Sequence, residues 1–163
     1  MWRCARRLHA IALIGLSLAG LVACKAPSSR AERPATVSHN LAVDEAQGGH
    51  TLERHIGKTD VELRQRLQRE PNISAASSYT DKATAEHAVG EALAQNTDKI
   101  QRWLERGQRR PNLVLDYTDP NDAIGRVMYP RAIGSVPCDH AIVVLKAEGN
   151  SYYVLTSYPE CRP

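Results

Sequence analysis

Apolar residues are distributed along this chain in three ways. Ile11–Ala23 is an almost unbroken run of about 13 residues, roughly two-thirds of the ~20 that a membrane-spanning helix needs. Residues 25–47 have no sustained period and are rich in Ser, Pro, Ala and charge, so they read as a flexible tether. From residue 48 the apolar positions first recur at helical spacing and later in short strand-like runs.

The helical half begins with a short helix over His50–Ile56, stopped by Gly57 in the left-handed position past its end. Thr59-Asp-Val-Glu62 is a capping box that opens a second helix, ending near Glu70 because Pro71 follows. Its apolar stripe is thin, with Leu63 and Leu67 preceded by Val61. A further capped stretch, Thr80–Gln95, carries Ala83, Ala88, Val89, Ala92 and Leu93. Thr97 then caps Asp98–Arg106, with Ile100, Trp103 and Leu104 on one side and Gly107 as the stop. Four β-prone runs follow, Leu113–Tyr117, Ile124–Tyr129, Ala141–Lys146 and Tyr152–Tyr158, separated by turn-forming residues. Helices first and four short strands second predict an α+β domain over residues 48–163, with a four-stranded antiparallel meander.

The apolar run near the start has a basic flank, Arg3, Arg6 and Arg7, which makes residues 1–23 a signal peptide. It ends in Leu21-Val22-Ala23-Cys24, which resembles a bacterial lipobox. Small residues there suit the peptidase, and the Cys24 thiol accepts the lipid. The expected location is the bacterial cell envelope, lipid-anchored or secreted, with membrane contact through the Cys24 lipid alone. Lys25 in place of an aspartate resembles the outer-membrane sorting pattern. Removing the signal takes three Arg from the 21 Lys and Arg and nothing from the 18 Asp and Glu. The mature chain is therefore balanced at 18 against 18, and net charge says nothing about nucleic-acid binding.

Of the four cysteines, Cys4 leaves with the signal and Cys24 is lipidated. Cys138 and Cys161 remain, and an even pair in an oxidising compartment reads as one disulfide. A four-residue loop at Glu148–Ser151 places Ala147 opposite Tyr152. The same register carried down the hairpin places Cys138 opposite Cys161, within cross-strand reach.

Residues 48–59, with Gly48, Gly49, His50, His55, Gly57, Lys58 and Thr59, are the most unusual stretch. Gly57-Lys58-Thr59 is no phosphate loop, because Leu52 occupies the position where that motif needs glycine. His50 and His55 are five apart, about 140° around a helix, so they do not chelate a metal. The pattern GGHTLERHIGKTxxELRxRL over residues 48–67, ASSYTDKATAE over 76–86, LVLDY over 113–117 and YYVLTSYP over 152–159 resembles the bacterial RNase A-like toxin domain of contact-dependent inhibition proteins. The resemblance covers nearly all of residues 48–163. It implies a two-lobed RNase A-like fold and a ribonuclease that cleaves RNA, tRNA among the candidate substrates, to a 2′,3′-cyclic phosphate without metal or cofactor. It also implies a cognate immunity protein. The matching site positions are His55, Arg66, Thr156 and Tyr158, with His50 as the alternative histidine.

Elementary chemistry fits those residue types. Metal-free RNA cleavage needs a base for the 2′-OH, an acid for the departing 5′-oxygen and donors for the phosphorane between them. A histidine near its reference pKa of about 6.5 moves a proton. Arginine presents a fixed fork of donors matched to phosphate. Thr156 and Tyr158 are two apart, so on a strand they face the same way. The alternative is a non-enzymatic envelope lipoprotein that keeps the fold and binds nucleotides or a protein partner.

Overall fold

The structure, a computed structural model, describes residues 37–107 and 110–161. The expected signal peptide, the Cys24 lipidation site and the start of the tether lie outside the described residues. The chain forms α1 (Leu41–Ala46), α2 (Thr51–His55), α3 (Asp60–Arg69), β1 (Ala76–Tyr79), α4 (Lys82–Gln95), α5 (Thr97–Leu104), β2 (Leu113–Thr118), β3 (Gly125–Met128), β4 (Val136–Cys138), β5 (His140–Glu148) and β6 (Ser151–Pro159). The α+β class expected from the sequence is what the chain adopts. The single four-stranded meander is not: among the described residues six strands form two antiparallel sheets, ordered β1-β3-β4 and β2-β5-β6.

The two extra strands have physical reasons for escaping a pattern reading. β1 is Ala-Ser-Ser-Tyr and all four residues are buried, so it has no polar face to alternate with. β4 contains Pro137, which lacks an amide donor and is tolerated because β4 is the edge of its sheet. The end of the expected tether is also folded. Asn40 caps α1 by accepting from the Ala42 amide, and Leu41 is fully buried. The backbone ahead of α1 lies so close to α4 that a Cβ on Gly90 would come within 2.9 Å of Ser38 main-chain atoms. Residues from Val37 onward therefore belong to the folded body.

The capping box forms as expected. Thr59 accepts from the Glu62 amide, and the Glu62 carboxylate accepts from the Thr59 amide at 2.8 Å, an arrangement typically contributing about 1 kcal/mol. Gly57 and Gly107 take positive φ of 61° and 83° where helices were expected to stop. Other boundaries move. Asp81, not Thr80, caps α4 through the Thr84 amide. Thr97 does not cap α5; it is the first helical residue, and its hydroxyl donates back to Ala94. Val61 of α3 is exposed, and on α4 Ala85, three before Ala88 and four before Val89, shares their buried face while Ala83 is exposed.

The larger core packs α4 (Ala85, Ala88, Val89, Ala92) and α5 (Ile100, Trp103) on β2-β5-β6 through Leu115, Tyr117, Val143, Leu145 and Val154. A small second core joins Leu63 of α3 to Ala76 and Met128 of the other sheet. These are two lobes, and α2 and β6 lie where they meet.

The hairpin register begins as expected, with Ala147 opposite Tyr152 and Leu145 opposite Val154. Leu155 is then an extra residue, and beyond it Val144 faces Thr156 and Ile142 faces Tyr158. Cys138 and Cys161 are joined as a disulfide, with Cα atoms 5.1 Å apart. The bond is not a rung of the hairpin, however. Cys138 belongs to β4 of the other sheet, and Cys161 follows the end of β6. The bridge fastens one lobe to the other.

Candidate active site

The bulge at Leu155 decides what β6 can do. β5 turns Ala141, Val143 and Leu145 into the core, and their partners on β6 are Pro159, Ser157 and Val154. The inward residues of β6 thus switch from even to odd numbers across the extra residue. Without that switch, Thr156 and Tyr158 would share the face of Tyr152 and Val154 and enter the core. With it they turn into a cleft, a common use of bulges beside functional sites.

That cleft has a volume of about 650 Å³, and its walls include His50, His55, Arg66, Ser77, Thr156 and Tyr158. All five site residues expected from the sequence therefore meet in one place, together with Cys161 of the disulfide. His55 ends α2 and is 7% exposed. Its Nδ1 is 3.1 Å from the Ser77 carbonyl of β1. A carbonyl only accepts, so Nδ1 carries the proton, and in the neutral ring Nε2 keeps its lone pair as an acceptor. Ser77 has no signal in the sequence for this role because only its backbone is used. The rings of His55 and Tyr158 lie 5.5 Å apart and tilted by 33°.

The expectation that His55 titrates near its reference value needs correction. Burial, followed by the Arg66 charge, pulls its pKa down to about 3, so the ring is neutral at neutral pH. His50 precedes α2 at the cleft wall without capping it. Partial burial and the neighbouring Arg54 lower its pKa in the same direction. Tyr158 is shifted upward by burial and by Glu160, which keeps the phenol protonated and able to donate.

Arg66 projects from α3, with Nε 3.4 Å from Glu70 Oε2. Its Nη1 and the Thr156 hydroxyl are both buried without a hydrogen-bond partner. Leaving such groups unsatisfied typically costs about 1–3 kcal/mol each, a cost that a bound anion removes.

The His55 shift has a consequence for stability. The folded-state pKa lies below the unfolded value of about 6.5, so the unfolded chain binds more protons between pH 6.5 and 3. The stabilisation tied to a neutral His55 is present above pH 6.5 and is lost as pH falls through that window. In His55→Asn the side-chain amide can keep the bond to Ser77 but cannot titrate. Urea unfolding at pH 7, 6 and 5 should show the parent losing stability relative to His55→Asn by about 1 kcal/mol per pH unit below pH 6. Parallel stability curves for the two proteins would contradict a buried neutral imidazole.

Comparison with known proteins places the fold in a family. A family model described as the bacterial CdiA-CT RNase A domain matches residues 49–159. Among solved structures the chain is similar to one from Y. kristensenii 33638, determined as a CdiA-CT/CdiI complex. The identity is 31% and the TM-score 0.61, over 69% of this chain and 99% of that chain. No curated protein matches the sequence. The family match spans most of the chain, and the fold is similar to that of the matched structure: the protein belongs to the bacterial CdiA-CT RNase A domain family.

Proposed function

We propose that the cleft cleaves RNA by transphosphorylation, leaving a 2′,3′-cyclic phosphate and a free 5′-hydroxyl. The observation that carries this reading is the pair of buried, unpartnered donors, Arg66 Nη1 and Thr156 Oγ1, in the same cleft as a neutral His55. His55 Nε2 takes the 2′-OH proton as that oxygen bonds to phosphorus. The bond from phosphorus to the 5′-oxygen then breaks, and the leaving oxygen receives a proton from the Tyr158 phenol at the cleft wall. Arg66 and Thr156 donate to the phosphorane, where charge develops. Phosphate binding beside Arg66 offsets the guanidinium charge and raises the His55 pKa towards the range in which a base is effective.

The test is incubation of the purified soluble domain with tRNA in EDTA. Fragments ending in 2′,3′-cyclic phosphate are expected. Intact tRNA at high protein concentration overturns the enzyme reading and leaves nucleotide or protein binding as the function. In this reading the natural partner is an immunity protein that covers the cleft, as the CdiA-CT/CdiI pairing of the similar structure supports. In this reading a signal peptide and lipidation at Cys24 hold the mature protein at the bacterial envelope; mass spectrometry of the N-terminal peptide from cells tests that location.

A further inference from the structure

The edge of β6 away from β5 should expose backbone groups around the bulge, yet the segment before α2 and the start of α2 satisfy them. The Asp44 carboxylate accepts from the Val154 amide at 2.8 Å. The His50 amide donates to the Leu155 carbonyl at 3.0 Å. The Thr51 hydroxyl accepts from the Ser157 amide at 2.8 Å. Three short contacts thus bracket the extra residue that turns Thr156 and Tyr158 into the cleft. Asp44 is 4% exposed, and its second oxygen holds His39 Nε2 at 2.7 Å.

The two glycines before His50 explain how the segment comes this close. A Cβ on Gly49 would lie 2.6 Å from the Val154 carbonyl oxygen and 2.9 Å from that of Asp44, so no larger residue fits. Gly48 has φ of 102°, a conformation that glycine adopts at little cost. The Gly-Gly pair that opens the most unusual stretch of sequence therefore lets the backbone lie against β6. It does not cradle a phosphate.

We infer that Asp44, which precedes the residues matched to the family, is a positioning residue for catalysis, holding the Leu155 bulge so that Thr156 and Tyr158 meet His55. The inference rests on the ribonuclease reading for its kinetic consequence, while its geometric consequence is independent of it. Losing the acceptor for Val154 lets the bulge relax, which misaligns the groups that act in the transition state more than those that bind the ground state. Asp44→Ala is expected to lower kcat by about 10- to 100-fold with KM within about threefold. Asp44→Asn keeps a carbonyl oxygen for the Val154 amide and should retain most of kcat. His39→Ala removes only the outer pair and should behave like the parent.

The second measurement is the NMR cross-peak between the His55 and Tyr158 rings, expected in the parent and Asp44→Asn and lost in Asp44→Ala. If Asp44→Ala does not fold, Asp44→Ser, too short to reach Val154, takes its place. A parent that leaves RNA intact overturns the ribonuclease reading, and the ring cross-peak still decides the positioning claim. A folded Asp44→Ala with parental kcat and an unchanged cross-peak overturns the positioning claim alone.

Discussion

Replacing His55 by alanine is expected to slow RNA cleavage by about 10²- to 10⁴-fold, the range attached to a positioned general base. The imidazole is the cleft group whose protonation is best defined. The Ser77 carbonyl accepts a hydrogen bond from Nδ1–H, and burial beside Arg66 keeps the ring neutral, so Nε2 is an acceptor at neutral pH. Alanine also leaves the Ser77 carbonyl without its donor and opens space at a buried position, costing about 1–3 kcal/mol through the unsatisfied carbonyl alone. Loss of activity in that variant therefore mixes chemistry with stability. His55→Asn separates them, because its amide can still donate to Ser77 while nothing replaces Nε2. The expected result is a melting temperature closer to the parent's than that of His55→Ala, with cleavage as slow as in His55→Ala. Cleavage within threefold of the parent by a folded His55→Asn would remove His55 from the mechanism and leave His50 as the histidine to examine.

The same cleft shows what a pattern of side chains conveys. His55 and Arg66 were picked out by the resemblance to the family, while the two short helices that carry them were legible because helix punctuation is local: Gly57, the Thr59–Glu62 box and Pro71 bound them. Thr156 and Tyr158 were legible as a same-face pair, since period two survives any register. Their direction was not. It depends on Leu155 being unpaired, a feature held by Asp44 and Thr51 from a distant part of the chain. For the same reason α1 was missed: Leu41-Ala-Val-Asp-Glu-Ala46 is too short to show a period, and it is anchored by tertiary contacts. β1 was missed because its buried serines hold polar groups, the Ser77 carbonyl accepting from His55 Nδ1 and the Ser78 hydroxyl accepting from the Lys58 amide, and do not form an apolar face.

The disulfide is an instructive case, because the correct partners came from a register that holds only as far as the bulge. Past Leu155 each β5 residue faces a β6 residue one position further along, and His140 receives the Glu160 amide. A continued ladder would carry Asp139, not Cys138, to Cys161. The chain leaves the ladder at that point, with Cys138 pairing in the other sheet opposite Gly125. The bridge closes the gap between the lobes beside the cleft.

Arg66→Gln is the second change with a large expected effect, about 10²- to 10³-fold in kcat/KM, as for removal of one preorganised donor to a developing anion. Arg66 acts on the site in two ways that predict opposite outcomes. Its charge is the second cause, after burial, of the low His55 pKa. Removing it should raise that pKa from about 3 towards the reference value, and NMR titration of the imidazole can follow the shift. If depressing the base were all that Arg66 did, Arg66→Gln would have a stronger base and cleave RNA at least as fast. If the buried Nη1 serves the phosphate, the variant loses activity although its base has improved. Arg66→Lys sharpens the distinction by keeping the charge and losing the planar fork. It should leave the His55 pKa low and still cleave at least 10-fold more slowly than the parent. A faster or unchanged Arg66→Gln would move the phosphate site away from α3, leaving Thr156 and Tyr158 as its only donors from β6.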